Sequence, residues 1–373
     1  MFTISGLNST IRDIRVKLVL AGVLALLPSG AMAQYQHTWS PIPHGLVAVI
    51  PNDPTTPLDP IPFCNPYISG IALQIHWQDI EPVQGQPDWT RLDQLFWAAQ
   101  FSHKWVQLLM FPGFWSPAWA LKGAQTGMFT VQYGPGNGDY LPLPMPWDPV
   151  YLANWSDFVK RVADRYGNCP AFRVVAVAGP TSVSDEFTLP EAPDEVKEWL
   201  ADGYTNAKYI EAWRQMSEVY VEDFPNQYVS ISLGQGLPVN DQGQIDNNQP
   251  LVTRSLVVDA VSGVLGSQFT LQESNLDGNA STTTDAETEF VLNYNGRAVT
   301  GYQLRTNCLN NPVNMSGQTD PAIALQLSIE NGMQLNDIGK HADYIETYNP
   351  DVDAAIMQPV LQWGASLFWH YRW

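Results

Sequence analysis

Short apolar, β-branched runs alternate along the chain with longer segments in which apolar residues recur every three or four positions. That alternation predicts a parallel sheet assembled from strand–helix units. Eight runs read as strands: Leu46–Ile50, Ile68–Ile75, Trp105–Phe111, Arg173–Ala178, Tyr228–Leu233, Phe269–Gln272, Thr300–Leu304 and Asp343–Tyr348. Helical patterns lie between them, among them Trp89–Ser102, Trp155–Tyr166, Tyr204–Asp223 and Pro321–Gly332, with a last helix from Met357 toward Phe368. Leu92, Leu95, Phe96 and Ala99 give the first of these helices one buried face, and Phe158, Val159, Val162 and Ala163 do the same for the second. Ser116–Trp147 has no clear period and is rich in Gly, Pro and aromatic residues, so it reads as a long loop after the third strand.

Eight strands with intervening helices suit either an open doubly wound sheet or a closed barrel. The open sheet would carry a glycine-rich phosphate turn after its first strand. Here Ile50 is followed by Pro-Asn-Asp-Pro-Thr-Thr-Pro. The expectation is therefore an α/β fold, a single-domain (β/α)8 TIM barrel, with its site at the carboxyl ends of the strands.

The first 33 residues stand apart. Arg12, Arg15 and Lys17 precede an apolar run, Leu18–Leu27, and Ala31-Met32-Ala33 follows. This is the pattern of a secretory signal peptide, which leaves 34–373 as the barrel and implies a secreted or periplasmic protein with no membrane association after cleavage. The formal net charge of −19 repels phosphate backbones and argues against a nucleic-acid partner. Cys64, Cys169 and Cys308 are too sparsely spaced for a metal cluster, and they read either as buried apolar groups or as one disulfide with a thiol to spare. No Gly-x-Ser-x-Gly elbow, His-Glu-x-x-His or P-loop occurs. Neither a metal nor a cofactor is expected.

The strand ends supply the candidate chemistry. The second strand leads into His76, Trp77, Glu81-Pro82, Gly85, Asp88-Trp89 and Leu92-Asp93, and the third into Pro112, Trp115, Pro117 and Trp119. Fourteen Trp give rings able to stack on sugar faces. Trp77 could floor a sugar site and His76 could bond a hydroxyl. Trp115 and Trp119 suit either stacking on sugar or closing the barrel top. Glu81 reads as a carboxylate tying a turn that Pro82 stiffens. Beyond the fourth strand comes Asp185-Glu186, while Glu273 lies on the sixth strand and Glu346 on the eighth. Gln272, Asn275, Gln303, Arg305 and Tyr348 fall at strand ends, where they could bond sugar hydroxyls.

From Ile68 to Pro190 the run W-x-x-x-E-P-x-x-G-x-x-D-W-x-x-L-D, with P-x-W after the third strand, resembles the clan A glycoside hydrolases, particularly the beta-galactosidase-like barrels. The resemblance implies carbohydrate as partner and retaining hydrolysis by two carboxylates. It makes Glu186 the general acid after the fourth strand and puts a nucleophile at the end of the seventh. The seventh strand ends without an acid. Glu346 would take that position if Leu46–Ile50 were not a barrel strand, and Glu273 is the other candidate. The resembled enzymes commonly carry Asn before the acid, where this chain has Asp185. Two alternatives stay open on the same residues: a non-catalytic carbohydrate-binding barrel, and a polysaccharide lyase on the same scaffold.

Overall fold

The computed structural model describes residues 40–134, 136–279, 286–334 and 341–370. The signal-like segment lies outside the described residues. Among the described residues there are ten strands: β1 (Gly45–Ile50), β2 (Gly70–His76), β3 (Trp105–Phe111), β4 (Thr126–Thr130), β5 (Tyr140–Pro144), β6 (Phe172–Ala176), β7 (Tyr228–Ser232), β8 (Phe269–Leu276), β9 (Val299–Leu304) and β10 (Tyr344–Tyr348). Eight of them close a parallel barrel in the order β1-β10-β9-β8-β7-β6-β3-β2. The expected (β/α)8 barrel is the observed fold.

Each of the eight runs read as strands forms a barrel strand. Leu46–Ile50 is one of them, because β1 pairs with β10 on one side and β2 on the other. Glu346 therefore stays on the eighth barrel strand and does not move to the seventh. The stretch Ser116–Trp147 is not wholly loop: β4 and β5 form an antiparallel hairpin within it. Two prolines in the second strand, Pro142 and Pro144, obscured that pairing in the sequence. The buried face of the hairpin is set by Phe129, whose ring stacks on Trp199 at 4.0 Å. None of the three cysteines forms a disulfide. Cys169 and Cys308 are buried.

The residues that carried the resemblance mostly hold the scaffold together. Glu81 is fully buried and takes two hydrogen bonds from the Arg161 guanidinium at 2.6 and 2.9 Å. It also accepts from Trp77 Nε1 and from the amide of Gly85. Gly85 has a φ of 73°, in the left-handed region that only glycine enters at little cost. Asp93 accepts from Arg165 and Tyr166, tying the helix Thr90–Phe101 to Pro149–Tyr166. These bonds fix the second and third strand–helix units against one another.

Candidate active site

β6 ends at Ala176, but its chain continues along β7: the Val177 amide bonds to the Ser230 carbonyl, and Glu186 forms a further parallel bridge to Ser232. The loop after β3 packs against this extension, where the Phe114 amide bonds to the Ser182 carbonyl at 2.9 Å. Gly113 is needed there, since a Cβ would sit 2.1 Å from that carbonyl oxygen. These contacts hold Asp185 and Glu186 over the carboxyl ends of the barrel strands.

A cavity of about 520 Å³ opens at that mouth. Among its lining residues are His76, Trp115, Asp185, Glu186, Asn275, Gln303, Arg305 and Tyr348, contributed by segments far apart in the chain. One wall is built by His76 and Trp115, whose rings stack with centroids 4.5 Å apart and planes within 6°. Trp115 is fixed by its Nε1 donating to the Val183 carbonyl. Asn52 donates to Nδ1 of His76 and to Asp79, which leaves the neutral imidazole with its proton on Nε2. Burial lowers the His76 pKa against the opposing pull of Asp79, which favours the neutral ring. Across the mouth, Gln303 Nε2 donates to the Tyr348 hydroxyl at 2.9 Å.

The two adjacent carboxyls are shifted upward. Asp185 is 4% exposed, and its Oδ2 lacks a hydrogen-bond partner among the described residues. Burial pushes its pKa up to about 6. Glu186 is half-buried. Loss of solvation, then the charges of Asp185 and Glu287, push its pKa up to about 8, against a hydrogen bond from Ser274. Both carboxyls of the pair are thus held above the ordinary carboxylate range by burial, and the charge of one raises the other.

Five candidates from the sequence lie elsewhere. Trp77 is fully buried outside the barrel, edge-on to Trp119 and Trp155. Trp119 donates to the Glu81 carbonyl and packs in the same cluster, so both rings serve the scaffold rather than the cavity wall. Glu273 points to the outer side of β8, where it accepts from the Thr288 hydroxyl at 3.0 Å. It is turned away because successive strand residues face opposite sides. Gln272 points inward but lies beneath the cavity, accepting from Gln107 and Tyr344. Glu346 is fully buried in the barrel interior and does not line the cavity. Burial, then the charge of Asp185, hold its pKa well above the ordinary glutamate value, while Gln272 and Gln107 oppose the shift.

Sequence reasoning missed several lining residues. Tyr133, at the tip of the β4–β5 hairpin, sits in a stretch with no period to mark it. Gln74 lies two residues before the candidate His76 on β2 and Ser274 stands between the candidates Glu273 and Asn275 on β8, both inward positions with nothing in the sequence to mark them, and Asn52 belongs to a loop whose path depends on β1 closing the barrel. A second hollow of about 530 Å³, beside the end of β2, is lined by Pro54, Pro57, Leu58 and Arg91. It contains none of the candidate residues.

No protein-family profile and no curated protein matches the chain. Solved structures do. A polyextremophilic beta-galactosidase from the Antarctic haloarchaeon Halorubrum lacusprofundi aligns with a TM-score of 0.51 at 10% identity, over 88% of this chain and 58% of that one. A cold-adapted beta-galactosidase from Rahnella sp. R3 gives 0.49 at 12% identity, over 89% and 58%. The exo-beta-1,4-mannosidase Op5Man5 from Opitutaceae bacterium strain TAV5 gives 0.48 at 10% identity, over 88% and 60%. The chain thus spans about three fifths of the length of these structures. At such identities the likeness is one of fold. Among the described residues no helix is long and apolar enough to cross a membrane, and no group of His, Cys, Asp and Glu could hold a metal ion.

Proposed function

We propose that this chain is an exported glycoside hydrolase in which Glu186 protonates the departing glycosidic oxygen. The observation that carries the reading is a half-buried carboxyl, facing a cavity at the barrel mouth, that keeps its proton up to about pH 8. A general acid has to enter the reaction protonated and be able to lose that proton in the transition state. Asp185 faces the same cavity and is ionised above about pH 6. Its negative charge stabilises the positive charge that develops on the sugar ring as the bond breaks. Glu346, the first choice for a nucleophile from the sequence, sits beneath the cavity, so the reading assigns the two working carboxyls to Glu186 and Asp185.

The surroundings suit a sugar. The His76–Trp115 stack offers an aromatic wall, while Asn275, Gln303, Arg305 and Tyr348 present donors and acceptors at spaced points of the rim. Export rests on the signal-like segment ending at Ala33, with the secreted or periplasmic space as its destination.

The test is Glu186→Gln on aryl glycosides and on plant or microbial polysaccharides. Turnover is expected to fall by about 10²–10⁴-fold. Unchanged turnover removes Glu186 from the mechanism. One observation favours a second reading, a carbohydrate-binding barrel without catalysis: the seventh barrel strand, β9, closes on Gln303-Leu304 with no acid at its end. Binding of polysaccharide with no product at any pH would establish that alternative. An unsaturated product absorbing in the ultraviolet would point instead to a lyase.

A further inference from the structure

Arg305 belongs to two hollows at once. On one side it lines the cavity that holds Glu186. On the other it lines an open groove with Asn279, Asn310, Asn311, Asn314 and the strip Pro312–Val313. Its charge is already met there, by Asp277 at 2.9 Å and by the main-chain carbonyl of Asn314. The groove therefore presents uncharged carboxamides. Asn279 and Asn311 spend their side-chain N–H groups on neighbours within the fold and keep only a carboxamide oxygen for a ligand, whereas the exposed Asn310 carboxamide has two donors and an acceptor to offer neighbouring hydroxyls on a sugar ring. Val313, 59% exposed, adds an apolar patch of the kind that the C–H face of a sugar covers. The groove's shape is set locally: Asn307 Oδ1 accepts from the Asn310 amide, and Asp277 Oδ1 accepts from the Asn279 amide.

We propose that this groove is a second sugar-binding site, and that its ligand is a neutral oligosaccharide or polysaccharide laid across Arg305, with one unit beside Glu186 and the next on the asparagines. The proposal rests on the carbohydrate reading of the cavity and adds to it the class of substrate: a chain of several units, not a lone terminal sugar. The strong negative charge of the protein disfavours a polyuronate. Tyr133, at the tip of the β4–β5 hairpin, also lines the cavity and is 58% exposed, so its ring is available to a further unit beyond Glu186.

Calorimetric titration of the full chain carrying Glu186→Gln tests this, with β-1,4-linked gluco-, manno- and galacto-oligosaccharides of two and six units as probes. In the series that binds, the six-unit sugar is expected to bind at least about tenfold more tightly than the two-unit sugar, and Asn310→Ala or Val313→Asp to remove about three- to tenfold of that difference. Both positions are exposed, so folding is kept, which thermal melting verifies. Equal affinity for the two lengths, a difference that survives both substitutions, or no binding by any series would overturn the groove. Product analysis of the unsubstituted protein reads the hydrolase proposal separately. Length-dependent binding without hydrolysis sinks the enzyme and keeps the groove. Hydrolysis with length-independent affinity does the reverse.

Discussion

The carboxyl of Glu186 links catalysis to stability. In the unfolded chain a glutamate releases its proton near 4.5, while in the fold Glu186 keeps it up to about 8. Between those values the folded state binds more protons than the unfolded one, so stability falls as pH rises. The favourable contribution is complete below about 4.5 and is lost as pH passes through 8. Glu186→Gln cannot ionise and should remove this loss. The variant is expected to melt about 2–4 °C above the unsubstituted protein at pH 8 and to gain little at pH 4.5. Thermal melts across that range check it, and an equal gain at both ends would place the cause in packing. Activity should follow the same two groups. With Asp185 charged and Glu186 protonated as the working state, kcat/KM is expected to be bell-shaped, with limbs near 6 and 8. Asp185→Asn should abolish the acid limb, and a limb that persists would have to come from another group.

At the scale of elements, the barrel was legible because its strands are apolar and β-branched on both faces, as buried parallel strands must be. β3, Trp105-Val-Gln-Leu-Leu-Met-Phe, coincides with its predicted bounds for that reason. The β4–β5 hairpin was illegible because half of it faces solvent and prolines interrupt its alternation. The site was legible only where a residue's position along its strand decides its direction. Glu273 shows the limit: it stands one residue from the inward-facing Gln272, and sequence alone did not say which of the two faced the axis. The resemblance marked Glu81 and Asp93, whose partners Arg161 and Arg165 share one helix. Replacing Arg161 with Met would strand a fully buried Glu81 without its cation. A loss of about 3 kcal/mol is expected on denaturant unfolding. A loss under 1 kcal/mol would show that Trp77 and Gly85 alone satisfy the carboxylate.

For the whole molecule, closure of the barrel decides which distant residues share the mouth, and it brings Gln303 there. β1 completes the ring, and this makes β9 the seventh barrel strand and Gln303 the residue near its end. In the resembled enzymes that strand ends in the nucleophile. A carboxylate at this position would have the Tyr348 hydroxyl as a donor and Arg305 two residues on, both favouring its charged form. Its proximity would also raise the Glu186 pKa further, keeping the acid protonated. Gln303→Glu is therefore expected to form a glycosyl–enzyme adduct with an activated aryl glycoside, visible as added mass on the intact protein, where the unsubstituted chain forms none. Such an adduct would mean that the mouth is arranged for displacement and lacks only the nucleophile. Retained sugar binding with no adduct would mean that the side chain at 303 does not reach the anomeric carbon. In that case any hydrolysis by the unsubstituted protein must proceed by water attack with Asp185 and Glu186 alone.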